Sequence, residues 1–215
     1  MKRWYLLGLL IVSIGAHAAP TSLDESFDNL ATNGWTLINA SAPGGLNWFQ
    51  GNPGVFNAHA GAPNSYAAAS FLSTDPFLGG TISNWLISPE IQFASQVLSF
   101  YTRSDVNPGA LFGDGLRVLV SLSGASTALS DFTELFNINA ANAAGAYPED
   151  WTNFLALLGS SGTGRIAFEY TVGPNALANY IGLDTIAIFV PVPEPGTLAL
   201  LGLALALAGA VARRR

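Results

Sequence analysis

The strongest constraint on this chain is a two-residue rhythm. In Leu116-Arg117-Val118-Leu119-Val120-Ser121-Leu122 every even position is apolar, while Arg117, Ser121 and Ser123 fall on the other side. Ile166, Phe168 and Tyr170 alternate in the same way with Ala167, Glu169 and Thr171. Successive side chains of a strand point to opposite faces, so the pattern reads as strands with one face buried. Runs rich in β-branched and aromatic residues recur at 34–39, 46–50, 65–71, 84–93, 96–103, 132–137, 151–158 and 180–189, with Gly, Asn and Pro clusters between them. No interior segment has a capped helical period; 140–146 is Ala-rich, but Gly145 interrupts it and Pro148 follows. Many short strands with turn signals predict an all-β antiparallel sandwich over 20–191, undivided by any linker or repeat.

The two ends are unlike this interior. Met1-Lys2-Arg3, an apolar run from Trp4 to Gly15 and Ala16-His17-Ala18 have the layout of a secretory signal peptide over 1–18. At the other end Pro193-Glu194-Pro195 precedes an uncharged apolar stretch, Thr197 to Ala212, and the cluster Arg213-Arg214-Arg215. As a helix, such a stretch reaches about 24 Å, and adjacent arginines can snorkel to extend it across a bilayer. A terminal basic cluster holds that end in the cytoplasm and leaves the domain outside. A plain membrane anchor fits these features too, although it needs no Pro-Glu-Pro.

Only Arg103, Arg117 and Arg165 are cationic between the termini, so 14 acids leave the interior at −11. That balance excludes nonspecific binding to nucleic acid or to anionic lipid head groups. With no Cys in the sequence, disulfides, thiolate zinc sites and cysteine nucleophiles are excluded together.

Residues 192–215, with the tripeptide, the apolar stretch and the basic cluster in that order, closely resemble the PEP-CTERM sorting signal. The resemblance implies passage across the inner membrane of a Gram-negative bacterium and transient anchoring by a C-terminal transmembrane helix. It further implies processing by an exosortase near the motif, then release to the cell surface or to an exopolysaccharide (biofilm) matrix.

A second resemblance covers nearly all of 23–190. Glu25-Ser26-Phe27-Asp28 with Gly34-Trp35 opens the domain. Asn84-Trp85-Leu86-Ile87-Ser88-Pro89, Leu98 to Arg103, Leu116 to Ser123, Pro148 to Thr152, Arg165 to Thr171 and Asn179 to Asp184 follow in order. Together they are similar to choice-of-anchor J domains, relatives of the cleaved-adhesin and MAM-like jelly rolls. The implied fold is a jelly-roll sandwich with, in related domains, a structural calcium held by an acid on the first strand and one near the last. On that pattern the ligands are Asp28 and Asp184, with Glu25, Asn52 and backbone carbonyls in support. Two departures stand out: Asp28 replaces the commoner Glu, and Thr185 replaces a second terminal Asp.

The inventory for catalysis is thin. His59 is the one His beyond the signal peptide, which precludes a multi-imidazole metal site, and it reads as a loop residue. The acid pairs Asp24-Glu25 and Glu149-Asp150 sit at strand entrances, and no nucleophile elbow, P-loop or HExxH run occurs. The expectation is a non-enzymatic binding or structural module whose partners are an extracellular polysaccharide or a surface protein; a carbohydrate-active enzyme is the less favoured alternative. Flat aromatic faces grip sugar rings. The candidates are Trp48 and Phe56, near a loop-rich stretch, while Trp35, Trp85 and Trp151 are expected in the sandwich core.

Overall fold

A computed structural model describes residues 18–191 other than 76, 78, 79 and 175. The segment 1–17 of the expected signal peptide, the expected C-terminal membrane helix and the sorting residues Pro193, Glu194, Pro195, Arg213, Arg214 and Arg215 lie outside the described residues. Ten strands run in order: β1 (Leu23–Glu25), β2 (Thr36–Asn39), β3 (Phe49–Gln50), β4 (Ala67–Ser70), β5 (Ile82–Ile87), β6 (Ile91–Ser104), β7 (Gly115–Ser121), β8 (Thr133–Ile138), β9 (Thr152–Val172) and β10 (Tyr180–Phe189). Short 3-10 turns at Phe71–Ser73 and Leu129–Asp131 are the helical pieces among the described residues. The fold is an all-β antiparallel sandwich, as the alternation predicts.

All pairings are antiparallel. The first sheet runs β9-β6-β10-β4-β3 with β1 also on β10; the second runs β2-β5-β9-β7-β8. Strand β9 belongs to both. Its first half pairs with β6, from Thr152↔Thr102 to Gly164↔Ile91, and its second half lies between β5 and β7. The inner faces meet in one core where Leu98, Phe100, Ile181, Leu183 and Ile188 oppose Leu86, Leu116, Val118, Phe168 and Tyr170.

Each sheet also carries a small cluster on its outer face. On the second sheet Trp85, Ile87, Leu119 and Ala167 are buried under Leu129 and Phe132. On the first sheet Phe56, Tyr66, Ala68 and Tyr180 pack with Phe49, Val55, Ala58 and Trp151. This corrects the expected placement of the tryptophans. Trp35 is in the central core, but Trp85 and Trp151 belong to the outer clusters. Two-residue alternation distinguishes the faces of a strand but cannot say which face a loop will cover.

Candidate functional site

Residues 51–65 fold over the outer face of the first sheet, and this loop assembles most of the candidate residues. Its footing is Gly182 on β10, cross-strand from Arg103 and Ala68. A Cβ there would lie 2.8 Å from Phe56 Cε2 and from Trp151 Cη2, so the side chains close over bare backbone. Phe56 stacks on Tyr66 at 5.0 Å and meets Trp151 and Tyr180 edge-on at 5.6 and 5.3 Å. The Arg103 guanidinium sits 4.5 Å from the Phe56 centroid. Tyr66 and Tyr180 join hydroxyls at 3.0 Å, and both accept the backbone N–H of Asn52. Burial raises both phenols above their ordinary range.

The loop is pinned at its tip by Asp184, which is fully buried at a bulge in β10. One carboxylate oxygen accepts the backbone N–H groups of His59 and Ala60 at 2.8 and 3.1 Å; the other accepts that of Thr185 at 2.6 Å. Burial nonetheless pushes this acid up to about 6. The His59 ring lies flat on Tyr101, centroids 3.6 Å apart and 16° between planes, and its Nδ1 is 2.9 Å from Thr185 Oγ1. Trp151 stands 6.2 Å from His59 and donates Nε1–H to the Asn57 carbonyl. His59, Tyr101 and Trp151 thus form a ledge, exposed at His59 and half-buried at the other two.

Asp28 meets the base of the same loop, where one of its oxygens accepts the Ser65 hydroxyl at 2.8 Å. Asp28, Phe56 and Asp184 are therefore brought to one loop, although they lie far apart in sequence. Glu25 turns elsewhere: its oxygens take Phe27 N–H, Asn33 Nδ2–H and Trp35 Nε1–H at 2.6, 3.0 and 2.9 Å. It builds the turn after β1 and is not directed at Asp184. Asn52 likewise caps a turn, accepting Gly54 N–H at 2.9 Å. Among the described residues no three acidic, His or Cys side chains converge to hold a metal. A calcium ion here would have to draw on Asp28, Asp184 and loop carbonyls alone.

The two aromatic candidates are corrected by burial. Trp48 is 2% exposed in the central core, with its Nε1–H on the Asn84 carbonyl at 2.9 Å. A hollow of about 400 Å³ beside Asp28 touches it, but no open ring face remains for a sugar. Phe56 is 8% exposed, sandwiched between loop and sheet. The rings that reach solvent at this site, His59, Tyr101 and Trp151, cannot be read as a set from the sequence: the β6–β9 register sets Trp151 beside Tyr101, and Asp184, opposite Tyr101 on β10, holds His59 over it.

Comparison with known proteins agrees with this picture. The PEP-CTERM protein-sorting motif matches residues 191–215. The chain carries that motif, which implies export and a surface or extracellular location. No curated protein matches the chain in sequence. Among solved structures, the K1 cleaved adhesin domain of Lys-gingipain from Porphyromonas gingivalis W83 is 26% identical over 80% of this chain and 99% of its own, with a TM-score of 0.59. The K2 cleaved adhesin domain of Lys-gingipain is 25% identical over 79% and 98%, at 0.55. The K3 domain of the Porphyromonas gingivalis w83 protein is 21% identical over 80% and 98%, also at 0.55, and so speaks to the fold alone. The chain joins an adhesin-like antiparallel sandwich to a PEP-CTERM sorting motif.

Proposed function

We propose that this protein is an exported, exosortase-processed, non-enzymatic binding module of the cell surface, engaging extracellular polysaccharide through the ledge of His59, Tyr101 and Trp151. In this reading an N-terminal signal peptide directs the chain out of a Gram-negative cytoplasm. The C-terminal segment anchors it transiently in the inner membrane, and exosortase frees it into the matrix. The observation that carries the ligand reading is the stacked pair, His59 on Tyr101 at 3.6 Å with Trp151 alongside. Flat rings offer a stacking platform to the apolar face of a sugar, and the nearby Arg103 and Thr185 supply polar groups for its hydroxyls. Calcium belongs to the proposal in a narrow form. Asp28 and Asp184 with loop carbonyls would hold the ion, which would brace the loop and do no chemistry.

The test is retention of the protein on the source bacterium's own extracellular polysaccharide, with Tyr101→Ala compared against the unaltered chain. Losing one central aromatic contact should weaken retention about tenfold or more, corresponding to at least ~1.4 kcal/mol. Equal retention by both proteins would reject the ledge, and no retention by either would reject glycan binding. A second reading is favoured by the likeness to the K1 domain, described as a cleaved adhesin domain. On that reading the same face contacts a surface protein, and Tyr101→Ala would reduce cell adhesion with no effect on polysaccharide.

A further inference from the structure

The loop 51–65 covers only half of the outer face of the first sheet. Among the described residues the other half is bare and apolar. Register places Leu157, Val97 and Phe189 in one row across β9, β6 and β10, with Leu155, Ser99 and Ala187 in the next. Leu157 is 78% exposed, Leu155 63% and Phe189 43%, and Val190 continues the stripe beyond the strand. The first half of β9 pairs only with β6, so this row also ends at an open edge among the described residues. No charge lies within the two rows; Asp24, opposite Ala187, borders them.

The stripe lies at the end of β10 from which the chain leaves the domain. Phe189 is both part of the stripe and the last residue of β10, and seven residues, Val190 to Gly196, lead from it to the uncharged apolar stretch beginning at Thr197. At ~3.3–3.6 Å per residue, such a tether keeps Phe189 within about 30 Å of that stretch even when fully extended. Leu157 is two strands away, about 10 Å. We propose that the Leu155-Leu157-Val97-Phe189 stripe rests on the lipid surface while the C-terminal segment is still attached. This rests on the reading of 197–212 as membrane-inserted. The contact is apolar and not electrostatic, because an interior charge of −11 is repelled by anionic head groups. It would fix the pole of the domain that ends at Phe189 against the bilayer. The ledge at His59 lies farther along the same face.

Because the chain has no Cys, single labels can be placed cleanly. Leu157→Cys and, as a control, Asn107→Cys in the exposed loop after β6 are each coupled to an environment-sensitive fluorophore. The full chain is then reconstituted, with its C-terminal segment intact, in phosphatidylcholine vesicles containing brominated acyl chains. The expected result is a blue-shifted Leu157→Cys label quenched several-fold more than the Asn107→Cys label. Equal quenching at the two sites, or none at Leu157→Cys in chains that float with the vesicles, overturns the proposal. Chains that fail to float overturn the membrane reading of the tail, and the proposal with it, so the two failures are seen separately. A blue-shifted but unquenched label in chains that sediment as dimers assigns the stripe to a second copy and also overturns the lipid contact.

Discussion

Asp184 and His59, 125 positions apart in sequence, are joined by a 2.8 Å hydrogen bond in which the backbone N–H of His59 donates to the carboxylate. This bond and its neighbour from Ala60 turn a bulge on the last strand into the anchor for a loop that begins before β4. The other ties at the tip are the ring contacts of His59 with Tyr101 and Trp151, the Thr185 hydroxyl, and Trp151 Nε1–H on the Asn57 carbonyl.

The anchor has a pH signature in metal-free buffer. Burial raises Asp184 from 3.8 to about 6. An acid that holds its proton more tightly in the folded state stabilises the fold fully below its unfolded value and loses that contribution as pH rises through the folded one. At no more than ~1.4 kcal/mol per pH unit, Asp184 should lower stability by about 2 kcal/mol between pH 4 and pH 6. Asp114, also raised by burial, adds a slope of the same sign. The difference between the unaltered chain and Asp184→Asn isolates Asp184, and urea midpoints across that range check it. Superimposable pH profiles for the two proteins would refute this account.

Gly182 is where the loop touches the sheet. Gly182→Ala would set a methyl group 2.8 Å from both Phe56 and Trp151, a clash the packed rings cannot relieve cheaply. Overpacking of this kind costs about 1–3 kcal/mol. The expected outcome is that loss in denaturant unfolding, with a change in Trp fluorescence as Trp151 moves. A variant as stable as the parent would mean that the loop sits more loosely than its geometry implies.

Much of the fold was legible in the sequence, and its failures have physical causes. The strands at 116–121, 165–172 and 180–189 stand close to where alternation put them. The run 159–164, Gly-Ser-Ser-Gly-Thr-Gly, reads as a turn but is the middle of β9, paired with β6. Its glycines allow two backbones to meet; a Cβ at Gly164 would fall 1.8 Å from the Ser121 carbonyl oxygen. Conversely, the expected continuous strand 84–93 breaks at Ser88-Pro89-Glu90, whereas the expected break before Gln96 is only a bulge, with Ser95 at φ 58. Asp28, Phe56 and Asp184 could be singled out from the sequence, but Trp48 and Phe56 could not be recognised as buried. A Trp beside a Gly-rich loop carries no local mark of whether it turns inward.

On the second sheet a buried charge provides a separate test. Glu169 is buried, cross-strand from Arg117 and Trp85, and accepts Arg117 Nη1–H at 2.6 Å and the Ser83 hydroxyl at 2.7 Å. Arg117 also donates to Glu134 at 2.6 Å nearer the surface. Arg117→Met removes the compensation and strands a desolvated carboxylate, which costs about 3 kcal/mol. Glu169→Gln in the same chain should restore most of it, because the neutral amide needs no cation. Equal losses in the single and double variants, read by urea unfolding, would show that Arg117 stabilises through packing alone.

Calcium and Asp184 make opposing demands on the same proton. Metal binding requires the carboxylate to be ionised, whereas burial favours its neutral form. If Asp28, Asp184 and the loop carbonyls hold the ion, its effect on stability must therefore fade as pH drops through about 6. At pH 7.5, calcium at a hundred times its dissociation constant should raise stability by about 2.7 kcal/mol over the chelated protein. At pH 5 the same concentration should give much less, and Asp28→Asn should abolish the effect at both. Thermal unfolding with calcium and with chelator, at the two pH values, reads all of these together. Coincident melting curves at pH 7.5 would dispose of the metal and leave the His59 and Ala60 amides as the sole partners that anchor Asp184 to the loop.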